Sequence, residues 1–367
     1  MALTKPGIVR GNAITAAAGF FVASHGHITW PLLLAMLAGL SLIVASGCVI
    51  NNYIDRGIDQ KMARTKRRAL AAGRVSGRTA VIYGAALGVL GAAILFAFTN
   101  VLTLLIGALG WVFYVAIYGY WKRRSSFGTV VGSISGAVPP VAGYTAVTGR
   151  LDLGAGLLLL ILVLWQMPHF YAIAINRLAD YTAAGLPVLP VVRGVRAAQR
   201  QALIYIAAFI VASSLLSIFG YTGWWYLVAS VGVGIAWLVL GLRLLPGAPQ
   251  VWARQMFRFS LLVILILSVT MSVDTAPAHI VYNPVMLIIV HIIVALASLG
   301  LAGHAWLAPS PSKLKVTYML AALTVLSGTY LAVSQPAHLA QSCAAGLAYL
   351  AILAVGILAT RHKLSAA

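Results

Sequence analysis

The chain has 367 residues, 62% of them hydrophobic and 8% charged, with a formal net charge of +20. So much apolar surface excludes a soluble fold, and repeated runs of about 20 apolar residues indicate an all-α, polytopic membrane protein. The positive charge lies in short segments between apolar runs and forms no basic domain, so no nucleic-acid partner is expected. Cys48 and Cys343 fall in or beside apolar runs and give no disulfide framework.

In chain order, a short first span is predicted over about residues 12–23, after Lys5 and Arg10 and with no cleavable signal pattern ahead of it. A second span, about 30–53, leads into a basic loop that runs to Arg78. Spans three and four cover about 79–98 and 101–120, and Lys122, Arg123 and Arg124 open the next loop. Span five, about 128–148, is rich in small residues that allow close helix packing. Its Pro139-Pro140 pair should kink the helix and free carbonyls, which is tolerable only where protein or a cavity covers them. Span six, about 153–176, carries Trp165-Gln166-Met167-Pro168-His169. Spans seven to nine cover about 202–219, 223–245 and 257–273, and three more apolar runs, about 284–306, 314–334 and 339–360, close the chain. With both termini cytoplasmic, 24 of the 25 lysines and arginines face the cytoplasm and only Arg150 lies outside. That asymmetry supports twelve spans and puts the basic loops on the cytoplasmic side.

The stretch at the end of span two carries the chemistry. Asn51, Asp55 and Asp59 are spaced i, i+4, i+8 and share one helix face, each about 6 Å along from the last. Two carboxylates and an amide oxygen are hard ligands suited to Mg²⁺, an ion that also takes substrate phosphates. Arg56, Lys61, Arg64, Lys66, Arg67 and Arg68 lie between or just after them. Carboxylates for a metal beside cations for phosphate oxygens point to a diphosphate site. A plain positive membrane-side loop explains the cations but not the acids, since the chain has only five Asp and no Glu. Asn176 and Asp180 at the end of span six echo Asn51 and Asp55, although Ala184 stands where a further acid would continue the echo. His169 shares the face of Asn176 and Asp180 and lies about 10 Å deeper in the membrane than Asn176.

The run Asn51-x-x-x-Asp55-Arg56-x-x-Asp59-x-x-Met62-x-Arg64-Thr65 resembles the first signature of the UbiA-type intramembrane prenyltransferases. The heme-modifying branch of that family is matched in four further stretches. These are Leu3-Thr4-Lys5-Pro6-Gly7, Gly136-x-x-Pro139-Pro140-x-x-Gly143-Tyr144, Trp165-Gln166-Met167-Pro168-His169, and Asp180-Tyr181-x-x-Ala184-Gly185-x-Pro187-Val188-Leu189-Pro190. The resemblance covers about residues 1–274. It implies a nine-helix bundle around a central cavity, with farnesyl diphosphate and heme b as substrates and heme O and diphosphate as products. It also implies Mg²⁺ as cofactor, and a heme A synthase or a terminal oxidase assembly downstream. By position, Asn51, Asp55 and Asp59 would hold Mg²⁺ and diphosphate, and Arg64, Lys66, Lys122 and Arg123 the diphosphate oxygens. Asp180 would serve a second metal site, and His169, Asn176 and Tyr181 would meet the heme. The missing acid at Ala184 argues against quinone-type prenylation. The enzyme would sit in the cell inner membrane with the acid-bearing helix ends facing the cytoplasm.

Residues 275–367 lie outside the pattern and add about three transmembrane helices of unknown role. His291 and His338 are the one pair there that could face each other as heme ligands, against a plain packing appendage. His25 and His27 lie on the far side from the acids. Two rival functions are an aromatic prenyltransferase and a secondary transporter with an anion site between repeats. The heme-type stretches weigh against the first. Acids stacked beside cations at one membrane face weigh against the second, since a through-path needs polar groups at mid-membrane.

Overall fold

A computed structural model describes residues 3–275, 284–307, 309–334 and 339–365. Among these residues the regular secondary structure is helical, apart from one isolated bridge, Thr222 to Thr275. The contacts divide the chain into two compact units, Met1–Ile280 and Val281–Ala367.

The first unit holds the helices α1 (Pro6–Ser24), α2 (Trp30–Ile54), α3 (Arg56–Lys61), α4 (Gly77–Phe98) and α5 (Val101–Val112). A π-helical turn, Phe113–Ile117, joins α5 to α6 (Tyr118–Trp121). Then follow α7 (Gly128–Thr148), α8 (Leu153–Asn176), α9 (Leu178–Ala183), α10 (Leu189–Val192), α11 (Val195–Ile218), α12 (Trp224–Leu244) and α13 (Pro249–Val273). Neighbouring long helices pack in chain order, and α13 packs back against α1, so nine of them close a ring. This is the nine-helix bundle that the family resemblance implies.

Several helices run further than their apolar cores. The first starts at Pro6 rather than near residue 12, because Pro6 supplies the fixed φ of a first helical position and Lys5 turns the chain ahead of it at φ 50°. Helices α11 and α13 begin about one or two turns before their apolar cores, taking in Arg196, Arg200 and Arg254. Arginine is a good helix former, so charge ends the membrane span without ending the helix.

Helix α7 stays helical through Pro139 and Pro140. Ser135 and Gly136, whose carbonyls lose their i+4 donors to these prolines, line a cavity together with Pro139. The small residues of α7 bring it hard against α1. A Cβ on Gly19 would strike the Pro140 carbonyl, and one on Gly143 would strike the Ala16 carbonyl.

The second unit is a bundle of α14 (Pro284–Leu307), α15 (Pro311–Ser334) and α16 (Leu339–Ser365), each packed on the other two. His291 Nδ1 lies 2.9 Å from Ser327 Oγ within it, and the proposed partner His338 lies outside the described residues. Among the described residues of the whole chain, nine helices are long and apolar enough to cross a membrane, eight of them in the first unit.

Candidate active site

The nine helices enclose a cavity of about 820 Å³, within the usual size of a ligand site. Its walls are largely apolar, with Leu40, Ile43, Leu162, Leu261 and Ile264 among them, and the cavity also holds the charged groups around α2 and α3.

The acid column reaches that end across a bend. Helix α2 stops at Ile54, and Asp55 sits at the junction with φ −88° and ψ 0°. The backbone bonds Asp55 N–H to Asn51 O and Asp59 N–H to Asp55 O continue through it, so the four-residue spacing survives. Asn51, Asp55 and Asp59 all line the cavity. Each acid is matched by a cation. Lys122 Nζ donates to Asp55 at 2.6 Å and to Asn51 Oδ1 at 2.9 Å, while Asn51 donates to Asp55 at 3.0 Å. Arg123 reaches Asp55 at 3.3 Å and the Ile54 carbonyl at 2.9 Å. Arg68 Nη1 donates to both oxygens of Asp59 at 2.9 Å. The Lys122–Asp55 pair is nearly buried, at 10% and 13% side-chain exposure, so each partner depends on the other to offset desolvation.

The wall beside α2 is shaped by the π turn, whose Tyr114 side chain lies against Gly47. The extra residue in its ring lies where Trp111, Tyr114 and Tyr118 face the cavity. Tyr114 and Tyr118 stack at 6.1 Å, and Lys122 Nζ lies 4.9 Å above the Tyr118 ring. Lys5 and Cys48 lie close by on the cavity wall. Burial pushes the Lys5 ammonium down to about 8, and the acids Asp55 and Asp59 only partly restore it. Burial likewise lowers Lys122, with Asp55 pulling it back up, and raises the Tyr181 phenol.

Deeper in the cavity, His169 lies between aromatic rings: Trp165 stacks on it at 5.0 Å and 21°, and Phe257 lies at 5.0 Å and 30°. Its Nδ1 is 2.7 Å from Ser260 Oγ. Gln166, buried one turn away, donates to the Ser133 and Leu162 carbonyls.

Of the residues singled out from sequence, Asn51, Asp55, Asp59, Arg64, Lys122, His169, Asn176 and Tyr181 line one cavity. Arg123 touches the site through Asp55 from outside the lining. Lys66 is exposed and outside it. Asp180 departs most from its expected role as a metal ligand. It is absent from the lining, and its Oδ1 accepts the Ala63 N–H at 2.9 Å. The reason is that α9 turns away after Asn176 and lays Asp180 against the loop that follows α3. Among the described residues no three His, Cys, Asp or Glu side chains cluster as a metal cage. The donor set Asn51, Asp55 and Asp59 still fits an ion that takes one or two carboxylates and fills its shell with phosphate oxygens. Lys5 and Arg177, which have no part in the chemistry read from sequence, line the same cavity, as does Arg68 of the basic run. Lys5 was visible in its motif, but residues that meet only through the fold give no signal in spacing.

Comparison with known proteins gives the same frame. The pattern of the UbiA prenyltransferase family matches residues 12–262. The protoheme IX farnesyltransferase of Protochlamydia amoebophila is 49% identical over 273 residues, 74% of this chain and 96% of that protein. The protein of the same name from Marinomonas sp. is 52% identical over 275 residues, 74% of this chain and 93% of its own length. Among solved structures, a digeranylgeranylglyceryl phosphate synthase shares the fold at TM-score 0.62 and 20% identity, covering 74% of this chain and 96% of its own. A UbiA homologue from Archaeoglobus fulgidus, solved with DMAPP and Mg²⁺, matches at TM-score 0.55 and 17% identity over 74% of this chain and 98% of its own.

Proposed function

The chain belongs to the UbiA prenyltransferase family, and we propose that within it the chain farnesylates heme b to heme O from farnesyl diphosphate. The observation that carries this reading is one cavity with two ends: an acid-and-cation cage at its mouth and an apolar, aromatic chamber behind it. The relatives' shared name supplies the two substrates.

The chemistry asks for this division. The C1–O bond of the prenyl diphosphate breaks and diphosphate leaves with the electron pair. The farnesyl C1 then bonds to the outer carbon of a heme vinyl group. Water adds to the inner vinyl carbon and loses a proton, which completes the hydroxyethyl group. Ionisation is eased by positive charge around the leaving diphosphate. Lys5, Arg64, Arg68 and Lys122 line the cavity where that group would sit. A magnesium ion held by Asn51, Asp55 and Asp59 would add Lewis-acid charge at the same place. Lys122 and Arg68 rest on Asp55 and Asp59 in this structure, so they are already poised beside the acids. The apolar chamber keeps bulk water from the allylic cation until the vinyl group reaches it.

We place this chemistry in residues 1–274 and give residues 275–367 a packing or assembly role. We also place the protein in the cell inner membrane with the cage facing the cytoplasm, on the strength of the lysine and arginine asymmetry. The test is to supply membranes bearing the chain with heme b and farnesyl diphosphate and to identify the extracted hemes by mass. Heme O is the expected product. Unmodified heme beside a prenylated quinone would move the chain to another branch of the family.

A further inference from the structure

Ser260 has a single hydroxyl hydrogen and two close neighbours: the Phe257 carbonyl at 2.6 Å and His169 Nδ1 at 2.7 Å. If the hydrogen went to the imidazole, two oxygens would face each other at 2.6 Å with no proton between them. Both contacts are satisfied only when Ser260 donates to the Phe257 carbonyl and accepts from His169 Nδ1–H. Among the described residues no carboxylate is bonded to the ring, and the rings of Trp165 and Phe257 lie against it, so no anion there compensates an imidazolium. The neutral ring therefore carries its proton on Nδ1 and its lone pair on Nε2. Among the described residues Nε2 has no hydrogen-bond partner, and His169 lines the cavity.

Ser260 also fixes how the ring lies. Its backbone carbonyl accepts the Trp165 indole N–H at 2.9 Å, and the Trp165 ring stacks on the imidazole. One fully buried residue of α13 thus holds both rings of the Trp165–His169 pair on α8, through two different oxygens. An imidazole whose Nδ1–H is held by an acceptor, with Nε2 bare and its plane clamped, has the form of a metal-binding histidine.

We infer that His169 binds the iron of the porphyrin substrate through Nε2, and that Ser260 is the positioning residue that sets its tautomer and orientation. This rests on the reading of the cavity as a heme farnesylation site. It excludes His169 as the partner of a heme propionate, since a carboxylate needs a donor and bare Nε2 offers none.

The test uses the purified full chain in lipid nanodiscs, titrated with iron protoporphyrin IX and separately with metal-free protoporphyrin IX, without prenyl donor. The wild-type chain should bind the iron porphyrin at least about ten-fold more tightly, with the absorption and electron-spin signature of imidazole ligation. His169→Ala should lose both preference and signature, and added imidazole should restore the signature in His169→Gly. Ser260→Ala should cut the preference by about ten-fold, and Ser260→Thr, which keeps the hydroxyl, should recover it. Unchanged farnesyl diphosphate affinity in each variant shows that the fold is intact. Equal affinity for the two porphyrins in the wild-type chain overturns the inference, as does a preference that survives His169→Ala. A preference unmoved by Ser260→Ala overturns the positioning role. Each of these can occur while heme O is still made, which leaves the proposed function standing. Absence of both porphyrin binding and heme O sinks the two together.

Discussion

At the end of α2, Asn51 and Asp55 stand inside a cage, with Lys122 bonded to both and Arg123 reaching Asp55. At the end of α8, Asn176 and Asp180 repeat the same four-residue step, but Asp180 turns out of the cavity and accepts the Ala63 N–H. What differs is the neighbour each end faces. The α2 end meets the last turn before Lys122 and continues through Asp59 to Arg68, so charge accumulates there. The α8 end meets the loop after α3, and its next position in register is Ala184, so no second cage is built. Asp180 is a brace: it holds the backbone beside Arg64, a residue of the cavity wall. Equal spacing in sequence thus gives a charge site in one place and a loop support in the other.

The largest expected effect tests the cage. Asp55→Asn keeps an oxygen to accept from Lys122, so the protein should still accumulate in membranes, but it removes the charge that the leaving-group site uses. Heme O formation per unit of protein should fall by at least about 100-fold, the scale of losing one preorganised electrostatic group. The matching change at the other end, Asp180→Asn, keeps an oxygen for the Ala63 N–H and should cost no more than about ten-fold. Heme O chromatography on both variants side by side breaks the comparison if the two losses are alike, because Asp180 would then be supplying charge rather than support.

The helices and the first cage residues were legible because hydropathy and the i, i+4, i+8 spacing are local properties. Asn51, Asp55 and Asp59 needed only a helix to share a face, and the bend at Asp55 preserved it. The role of Asp180 was not legible, since its partner Ala63 is 117 residues away and is a backbone amide, which leaves no trace in side-chain type. The same holds for Arg68 on Asp59 and for Ser260 under His169. Composition hid the true helix starts in another way. Arg196, Arg200 and Arg254 end an apolar run, but helix formation is indifferent to them.

A smaller effect sharpens the picture of the cage as a cation site. Lys5 lies on the cavity wall with its ammonium pushed down to about 8 by burial. Diphosphate favours the protonated form, so Lys5 contributes to binding below pH 8 and the contribution fades as pH rises through that value. Farnesyl diphosphate affinity, measured from about pH 6.5 to 9.5, should drop a few-fold over the upper part of that range. Lys5→Arg should remove the drop, because guanidinium stays charged throughout. A flat profile in the wild-type chain would take Lys5 out of the diphosphate site.

The smallest effect is expected from the largest deletion. Among the described residues, the cage and brace contacts of both helix ends lie within the first unit. Cutting directly after Asp274, as the sequence pattern alone suggests, would disturb the first unit. Asp274 Oδ2 accepts the Tyr226 N–H at 2.7 Å, its carbonyl accepts the Gly223 N–H at 2.8 Å, and Thr275 bridges to Thr222. Those contacts close the N-terminus of α12, where a lost cap costs about 1 kcal/mol. A chain ending at Ile280 keeps them and follows the boundary of the first compact unit. Residues 281–367 contain no Asp or Glu, so they bring no carboxylate side chain to a metal or diphosphate site. Residues 1–280 should therefore make heme O within about two-fold of the full chain per unit of membrane protein, a change inside ordinary surface-mutation scatter. A truncated protein that accumulates normally yet makes no heme O would place part of the chemistry, or the delivery of heme, in α14–α16.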